Sequence, residues 1–172
     1  MRVQIPEMIS NFNAYTGGNV LIGVTGEFTM PSLTAMTSTV SGPGVLGEYD
    51  TPVPGHFSEI EQVVPFRVLY GDAFDLMTVG EVTDLTLRGA MQGADGQGNL
   101  SQTQIRIVMR GRCKKLEGGK MKAGNSMDAS VTLSLVYLLI EVDGSPKVEL
   151  DKLNAVYKIG GVDQLAEIKR MC

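Results

Sequence analysis

Few side chains in this sequence of 172 residues have the type and spacing that catalysis or metal binding needs. His56 is the sole histidine, in a Pro-Gly-His-Phe stretch, and the only two cysteines, Cys113 and Cys172, lie far apart. Zinc sites need several histidine or cysteine ligands at set spacings, and a general base needs a partner that orients it. We therefore expect a turn histidine, reduced thiols, and neither a metal nor a cofactor.

The glycine pairs and polar turns do not have the sequence context of a phosphate-binding or cation-binding site. The pairs at 17–18, 118–119 and 160–161 match neither the Walker pattern nor the dinucleotide fingerprint. Residues 95–99 have too few carboxylates for an EF-hand loop, and no serine lies in a nucleophile elbow. These segments predict turns in a protein that is not an enzyme. A small hydrolase on a β-barrel scaffold is an alternative with no assignable nucleophile.

Charge is distributed unevenly along the chain. Between Val3 and Phe66 there is no lysine or arginine, whereas acidic residues recur. Segment 103–122 has one acidic residue, Glu117, and seven basic ones: Arg106, Arg110, Arg112, Lys114, Lys115, Lys120 and Lys122. Such a run is typical of a nucleic-acid patch, a solvated face, or one half of a charge-complementary contact between copies. The opposed acidic segment in the same chain favours self-association.

Most of the secondary structure that the sequence predicts is β-strand, including the segment that carries the basic residues. In 130–142 the pattern places Val131, Leu133, Leu135, Tyr137 and Leu139 on one face. Segment 104–113 alternates with its basic residues on one side, and with 82–91 it predicts a long hairpin. A second hairpin is predicted around 16–19. About eight or nine strands are expected, which is enough for a β-sandwich or a closed barrel.

Two short helices and one irregular segment complete the prediction. A helix is expected over 72–79, with Asp72 as N-cap and Asp75 completing a capping-box-like pair, and another over 162–171. Residues 41–58 are rich in glycine and proline between strand patterns at 33–40 and 60–68, which predicts a functional loop or a segment that orders on binding. The length fits one domain, 1–172, and no signal peptide or membrane span is predicted.

Residues along most of the chain resemble a known family. At the C-terminal end these are 130–142, Asp143-Gly144, 149–151, Asn154, Val156 and 161–165. At the front they are Ile5-Pro6, Asn11, Gly23-Val24, 30–33 and 42–50. In this order they resemble the major tail tube proteins of contractile-tailed phages and R-type tailocins.

The resemblance implies a mainly β protein, a β-sandwich or barrel with one or two short flanking helices, assembled as hexameric rings that stack helically. Long hairpins would join into a continuous β-barrel that lines the tube. By position, segments 33–40 and 48–68 would supply part of that lining. Candidate lumen or subunit-interface residues are Leu33, Thr37, Thr39, Glu48, Asp50, Glu59 and Glu61. The seven basic residues of 103–122 are candidates for ring stacking or sheath contact.

The implied partners are further copies of the chain and the tail sheath, baseplate, tape measure and tail terminator proteins. The protein would be assembled in the host cytoplasm and located in the virion tail. A lumen built from the cation-free front third would repel phosphate, so DNA would pass without specific binding. A type VI secretion-like ring protein that carries effectors is the alternative, and the choice between a phage and a genome-free tailocin stays open.

Overall fold

The computed structural model describes residues 5–78 and 80–172, in which eleven strands and two short helices are found. In chain order the elements are β1 (Ile5–Thr16), β2 (Asn19–Val20), β3 (Ala35–Ser41), β4 (Glu48–Phe57), β5 (Glu61–Phe66), α1 (Gly71–Asp75), β6 (Thr83–Ala94), β7 (Leu100–Glu117), β8 (Ala129–Val142), β9 (Ser145–Asp151), β10 (Val156–Ile159), β11 (Val162–Asp163) and α2 (Ala166–Met171). The expected mainly β class with short flanking helices is confirmed.

Antiparallel pairing joins most strands into one sheet. Its strand order is β11-β10-β9-β8-β7-β6-β1-β2. The predicted long hairpin is β6–β7, in which Ala94 lies opposite Leu100. β8 is long enough to have two partners along one side: β5 pairs with residues 129–134, and β9 pairs with residues 137–142. β8 therefore connects the barrel strands to a smaller extension formed by β9, β10 and β11.

Backbone hydrogen bonds close the main sheet into a barrel. Val24, which follows β2, bridges to Phe66 of β5. Beside this bridge, Thr25 N donates to Pro65 O at 3.1 Å and Arg67 N donates to Gly23 O at 2.9 Å. Because β5 also pairs with β8, the route through β8, β7, β6, β1 and β2 returns to β5. Of the two forms expected from the sequence, this one is the closed barrel.

Apolar side chains from the barrel strands form one buried cluster. The strands contribute, among others, Ala14, Val64, Phe66, Leu85, Met109, Val131 and Leu133. Ala73 and Leu76, from α1 and the residue after it, join the same cluster. Complete burial of an aliphatic or aromatic side chain stabilises a fold by roughly 1.5–3 kcal/mol, so this cluster supplies the main driving force for closure.

A β-bulge in β8 changes the side-chain alternation that the sequence predicts. In β8 the register passes from Leu135 opposite Gly111 to Tyr137 opposite Arg110, so Val136 is the extra residue. Leu138 therefore faces the core, 1% exposed, and the prediction that Tyr137 shares a face with Leu135 is wrong. A Cβ atom at Gly111 would come within 2.4 Å of Ser134 O, so β7 approaches β8 closely only because position 111 has no side chain.

The glycine- and proline-rich stretch is a hairpin rather than a loop. β3 and β4 pair with each other in a separate two-stranded sheet, and only residues 42–47 form the turn. The prediction of an irregular segment over 41–58 therefore holds for its first part alone. Pro54 fits within β4 because it lies in the register shift between the Thr37–Pro52 and Ala35–Phe57 pairs, where β4 has residues without a partner in β3.

Both predicted helices exist but are shorter than expected. α1 ends at Asp75 and its N-cap is Tyr70, so Asp72 lies in the first turn and makes no side-chain cap; Val79 lies outside the described residues. Residues 162–163 form β11 instead of a first helical turn, because the chain returns from β10 to pair Ile159 with Val162. Ala73 and Leu76 are buried.

Candidate assembly surfaces

The β3–β4 hairpin has two chemically different faces. Thr39 lies opposite Asp50, and Ser41 lies opposite Glu48, so these four polar residues share one face together with Thr37. The Thr39 hydroxyl donates to Asp50 Oδ1 at 2.7 Å, which fixes the two side chains on that face. Four of the candidate lumen residues thus lie together: Thr37, Thr39, Glu48 and Asp50. All four are exposed, and no cation accompanies them between residues 35 and 57.

The opposite face of the hairpin is less polar and largely uncovered. It has Val40 opposite Tyr49 and Ser38 opposite Thr51, and Met36 lies beside it in the register shift between Ala35 and Thr37. Met36 is 52% exposed and Tyr49 is 55% exposed. An amphipathic two-stranded hairpin that is exposed on both faces has little in its own chain to hold it, since isolated hairpins are at best marginally stable in water.

The base of the hairpin lies against the C-terminal elements. The Phe57 and Tyr157 rings meet edge to face with centroids 5.0 Å apart. An apolar groove of about 490 Å³ separates β4 from β9, β10 and α2, and His56 is among its lining residues. His56 is thus a residue of the hairpin base. Among the residues described, no group of three or more histidine, cysteine or carboxylate side chains could hold a metal ion.

The other three candidate lumen residues lie outside the hairpin. Leu33 precedes β3 and is 36% exposed. Glu61 is the first residue of β5, and Glu59 lies two residues before it. Lys114 Nζ donates to Glu59 Oε2 at 2.7 Å and also to Glu61. The Lys114 hydrogen bond holds the pKa of the Glu59 carboxyl below its ordinary value, and Glu59 raises the pKa of Lys114. This trio, which we call the Lys114 clasp, ties β7 to the chain that leaves the hairpin.

Much of the basic stripe is paired within the chain. Arg106 Nη1 lies 3.0 Å from Glu141 Oε2, and Arg110 Nε lies 3.5 Å from Asp84 Oδ2. The Arg110 guanidinium also covers the Tyr137 ring, 4.7 Å from its centroid. Lys115 pairs with Glu117, next to the bulge that makes Lys114 the extra residue of β7. The sequence predicts the stripe, but not its in-chain partners.

Three basic candidates remain without an ion pair in the described part of the chain: Arg112, Lys120 and Lys122. All three are exposed. Lys120 and Lys122 lie in the loop between β7 and β8, residues 118–128, with Met121 between them at 91% exposure. This loop is the part of the basic segment that is most available to a partner.

The strands described form a closed β-barrel that carries an amphipathic hairpin, and the outer edges of this hairpin have no strand partner in the described ranges. No helix in residues 5–78 and 80–172 is long and apolar enough to span a lipid bilayer.

Comparison with known proteins gives the family. Residues 6–171 match the protein family described as phage tail tube protein FII. The chain is 26% identical to the tail tube protein of Escherichia phage P2, over 96% of each chain, and 27% identical to the major tail tube protein of Serratia phage KSP20, over 91% of this chain and 90% of that one. The chain belongs to the phage tail tube protein FII family. It is a structural component of a phage tail, as its resemblance to tail tube proteins implies.

Proposed function

We propose that this chain forms the inner tube of a contractile tail, as hexameric rings that stack into a hollow conduit. The observation that carries the proposal is the β3–β4 hairpin, whose outer edges have no strand partner in the described ranges. Free strand edges pair readily with other strands. Side-by-side pairing of hairpins from neighbouring copies fills those edges and stabilises a hairpin that is marginal alone.

The two faces of the hairpin favour one orientation in such a ring. The polar face with Glu48 and Asp50 lines the lumen, and the less polar face with Val40 and Tyr49 packs outward against protein. A lumen wall with carboxylates and no cations repels nucleic-acid phosphates. DNA and the tape measure protein therefore pass without specific binding, in agreement with the absence of lysine and arginine between residues 3 and 66.

The outer and axial surfaces provide the remaining contacts. Sheath, baseplate and tail terminator proteins meet the tube on these surfaces, and the tube is assembled in the host cytoplasm. Lys120 and Lys122 are the best candidates among the basic residues because they have no in-chain ion pair in the described residues. Arg106, Arg110, Lys114 and Lys115 already have acidic neighbours. We propose a structural role without enzymatic activity.

Negative-stain microscopy of the purified protein tests this function. Hollow tubes or stacked rings of uniform diameter are the expected result. A chain that stays monomeric at high concentration, even with preformed tube ends as seeds, would contradict the proposal. Discrete rings that never stack would instead support the ring protein of a type VI-like system.

Two double charge reversals separate the basic candidates. Lys120→Glu with Lys122→Glu should shorten tubes strongly while the monomer stays folded, because these side chains are free to meet a partner. Lys114→Glu with Lys115→Glu should also impair polymerisation, but it additionally disrupts the Lys114 clasp. Tubes of normal length in both variants would show that the basic segment takes no part in assembly.

A further inference from the structure

Two complementary features lie toward opposite ends of β7. The loop 118–128 follows Glu117, where β7 ends. Ile105 and Ile107, near the other end of the strand, line an apolar cavity of about 330 Å³. Met121, in this loop, is 91% exposed and therefore does not enter the cavity of its own chain. A second copy can supply the side chain that fills the cavity.

The loop presents Met121 as an ordered projection. Met121 is 91% exposed between two lysines. Backbone hydrogen bonds hold the loop in shape: Lys120 N donates to Met127 O at 2.7 Å, and Asn125 N donates to Lys122 O at 3.2 Å. Met127 N donates in turn to Arg67 O at 2.6 Å, which anchors the loop to the residue after β5. A flexible thioether side chain is well suited to fill an irregular apolar cavity.

The cavity has the properties of a socket for such a side chain. Its floor includes Leu87 and Ile107 of the barrel core, and the perpendicular rings of Phe12 and Phe28, 5.9 Å apart, form part of its wall. Met30, which also lines it, is 41% exposed. Glu27 lines the same cavity, is exposed, and forms no ion pair among the described residues.

We propose that Met121 of one copy inserts into this socket of a second copy, with Lys120 and Lys122 facing Glu27. An apolar side chain would meet an apolar cavity, and two lysines would face a carboxylate. Because loop and socket are different surfaces, the contact is heterologous, as a contact between successive rings along a tube must be. It rests on the proposed function, and it names the side chains that hold successive rings together.

A charge exchange tests the pairing. Glu27→Lys should leave discrete rings but reduce mean tube length at least tenfold in electron micrographs, because it places three cations together. Adding Lys120→Glu and Lys122→Glu to that variant should restore tubes. Normal tubes from Glu27→Lys overturn the proposal, even if sheath binding is lost, since the socket would then serve another protein. Failure of the triple variant to recover also overturns the pairing.

Disulfide trapping gives a second readout. In a Cys172→Ser background, Glu27→Cys with Met121→Cys should give a ladder of covalent oligomers from oxidised tubes on a non-reducing gel. Each single variant, and the control Glu27→Cys with Lys147→Cys, should give no ladder. Normal tubes without a ladder overturn this contact and leave the tube function intact. Absence of tubes from the unmodified chain removes the function itself.

Discussion

Leu165 packs directly on Gly55. A Cβ atom built at Gly55 would lie 2.7 Å from Leu165 Cδ2 and 2.9 Å from Cδ1. Gly55 lies at the base of the hairpin, and Leu165 is the N-cap of α2. The N-cap of the C-terminal helix and the hairpin therefore touch at Gly55, where an added side chain would require Leu165 to shift.

Replacement of Gly55 by alanine should destabilise the protein more than the same change at Gly44. Both residues have positive φ, +75° and +91°, so each alanine carries a backbone cost of about 1–2 kcal/mol. At position 55 the added Cβ atom would also overlap the Leu165 side chain, whereas at position 44 it would have no neighbour within 4 Å. We expect Gly55→Ala to lower the free energy of unfolding by about 1–2 kcal/mol more in urea titrations. Leu165→Ala should recover part of that difference, and equal losses at both sites would show that the contact is unimportant.

Removal of Lys114 should raise the pKa of Glu59. The Lys114 hydrogen bond holds the pKa of this carboxyl below its ordinary value. A lowered folded-state pKa stabilises the protein above the unfolded value, and this contribution is lost as pH falls through the folded value. Lys114→Met should therefore reduce stability slightly at neutral pH and have a smaller effect in acid. Carbon-13 NMR titration of the Glu59 carboxyl measures the shift.

Lys115→Met is the matched control for the Lys114 clasp. Lys115 lowers the pKa of Glu117, its own partner. This variant should move the Glu117 titration upward and leave Glu59 unchanged. A Glu59 midpoint that is the same in the original chain and in Lys114→Met would mean that the clasp does not persist in solution.

Gln62→Glu should be strongly destabilising at neutral pH. Gln62 is 0% exposed, and its amide nitrogen donates to Thr29 O at 3.0 Å and to Val63 O at 2.7 Å. A carboxylate there would face two carbonyl oxygens without a donor, at a cost on the order of 2–5 kcal/mol. Burial would raise the folded-state pKa of the new carboxyl. The loss should therefore shrink as pH falls toward the unfolded value of about 4.3.

Urea titrations at pH 7 and pH 4 measure this effect. Gln97→Glu, at the exposed tip of the β6–β7 hairpin, is the control and should change stability little at either pH. A loss for Gln62→Glu that is the same at both pH values would contradict the burial argument.

Hydrogen exchange should separate the hairpin from the barrel. In the monomer, the amides of β3 and β4 should exchange quickly, because the two strands have only each other as partners in the described ranges. In assembled tubes the same amides should be slow. Amides of β7, paired on both sides by β6 and β8, should be slow in both states. Equal protection of the hairpin before and after assembly would show that its edges gain no partner.

The central strands could be predicted because buried and exposed side chains alternate regularly along them. Where a β-bulge interrupts this alternation, the predicted faces are wrong. The buried residues Leu85, Leu87 and Met109 follow a period of two without interruption. In β8 the extra residue Val136 shifts every later side chain to the other face. Gly111 within a strand pattern is the one signal of this close approach, because a glycine inside a strand favours a bulge or a close backbone contact.

The polar face of the hairpin could be predicted from the sequence, because it depends only on the order of residues within two adjacent strands. Thr37, Thr39, Glu48 and Asp50 share one face, which follows from strand alternation once the hairpin is assumed. The Lys114 clasp was not predictable, because Lys114 reaches Glu59 and Glu61 across β8. Lys114 is close to the two glutamates because β5 and β7 both pair with β8. No local sequence pattern predicts this strand order. The in-chain partners of the basic stripe were missed for the same reason.

Neighbouring strands of the barrel pair over very different lengths. The β6–β7 junction continues over twelve residue pairs, from Thr83–Gly111 to Ala94–Leu100. The junction between Val24 and Phe66 is a single bridge flanked by two hydrogen bonds. Under mechanical load the shortest junction of a closed sheet separates first, so this junction would open before the pairing of β6, β7 and β8.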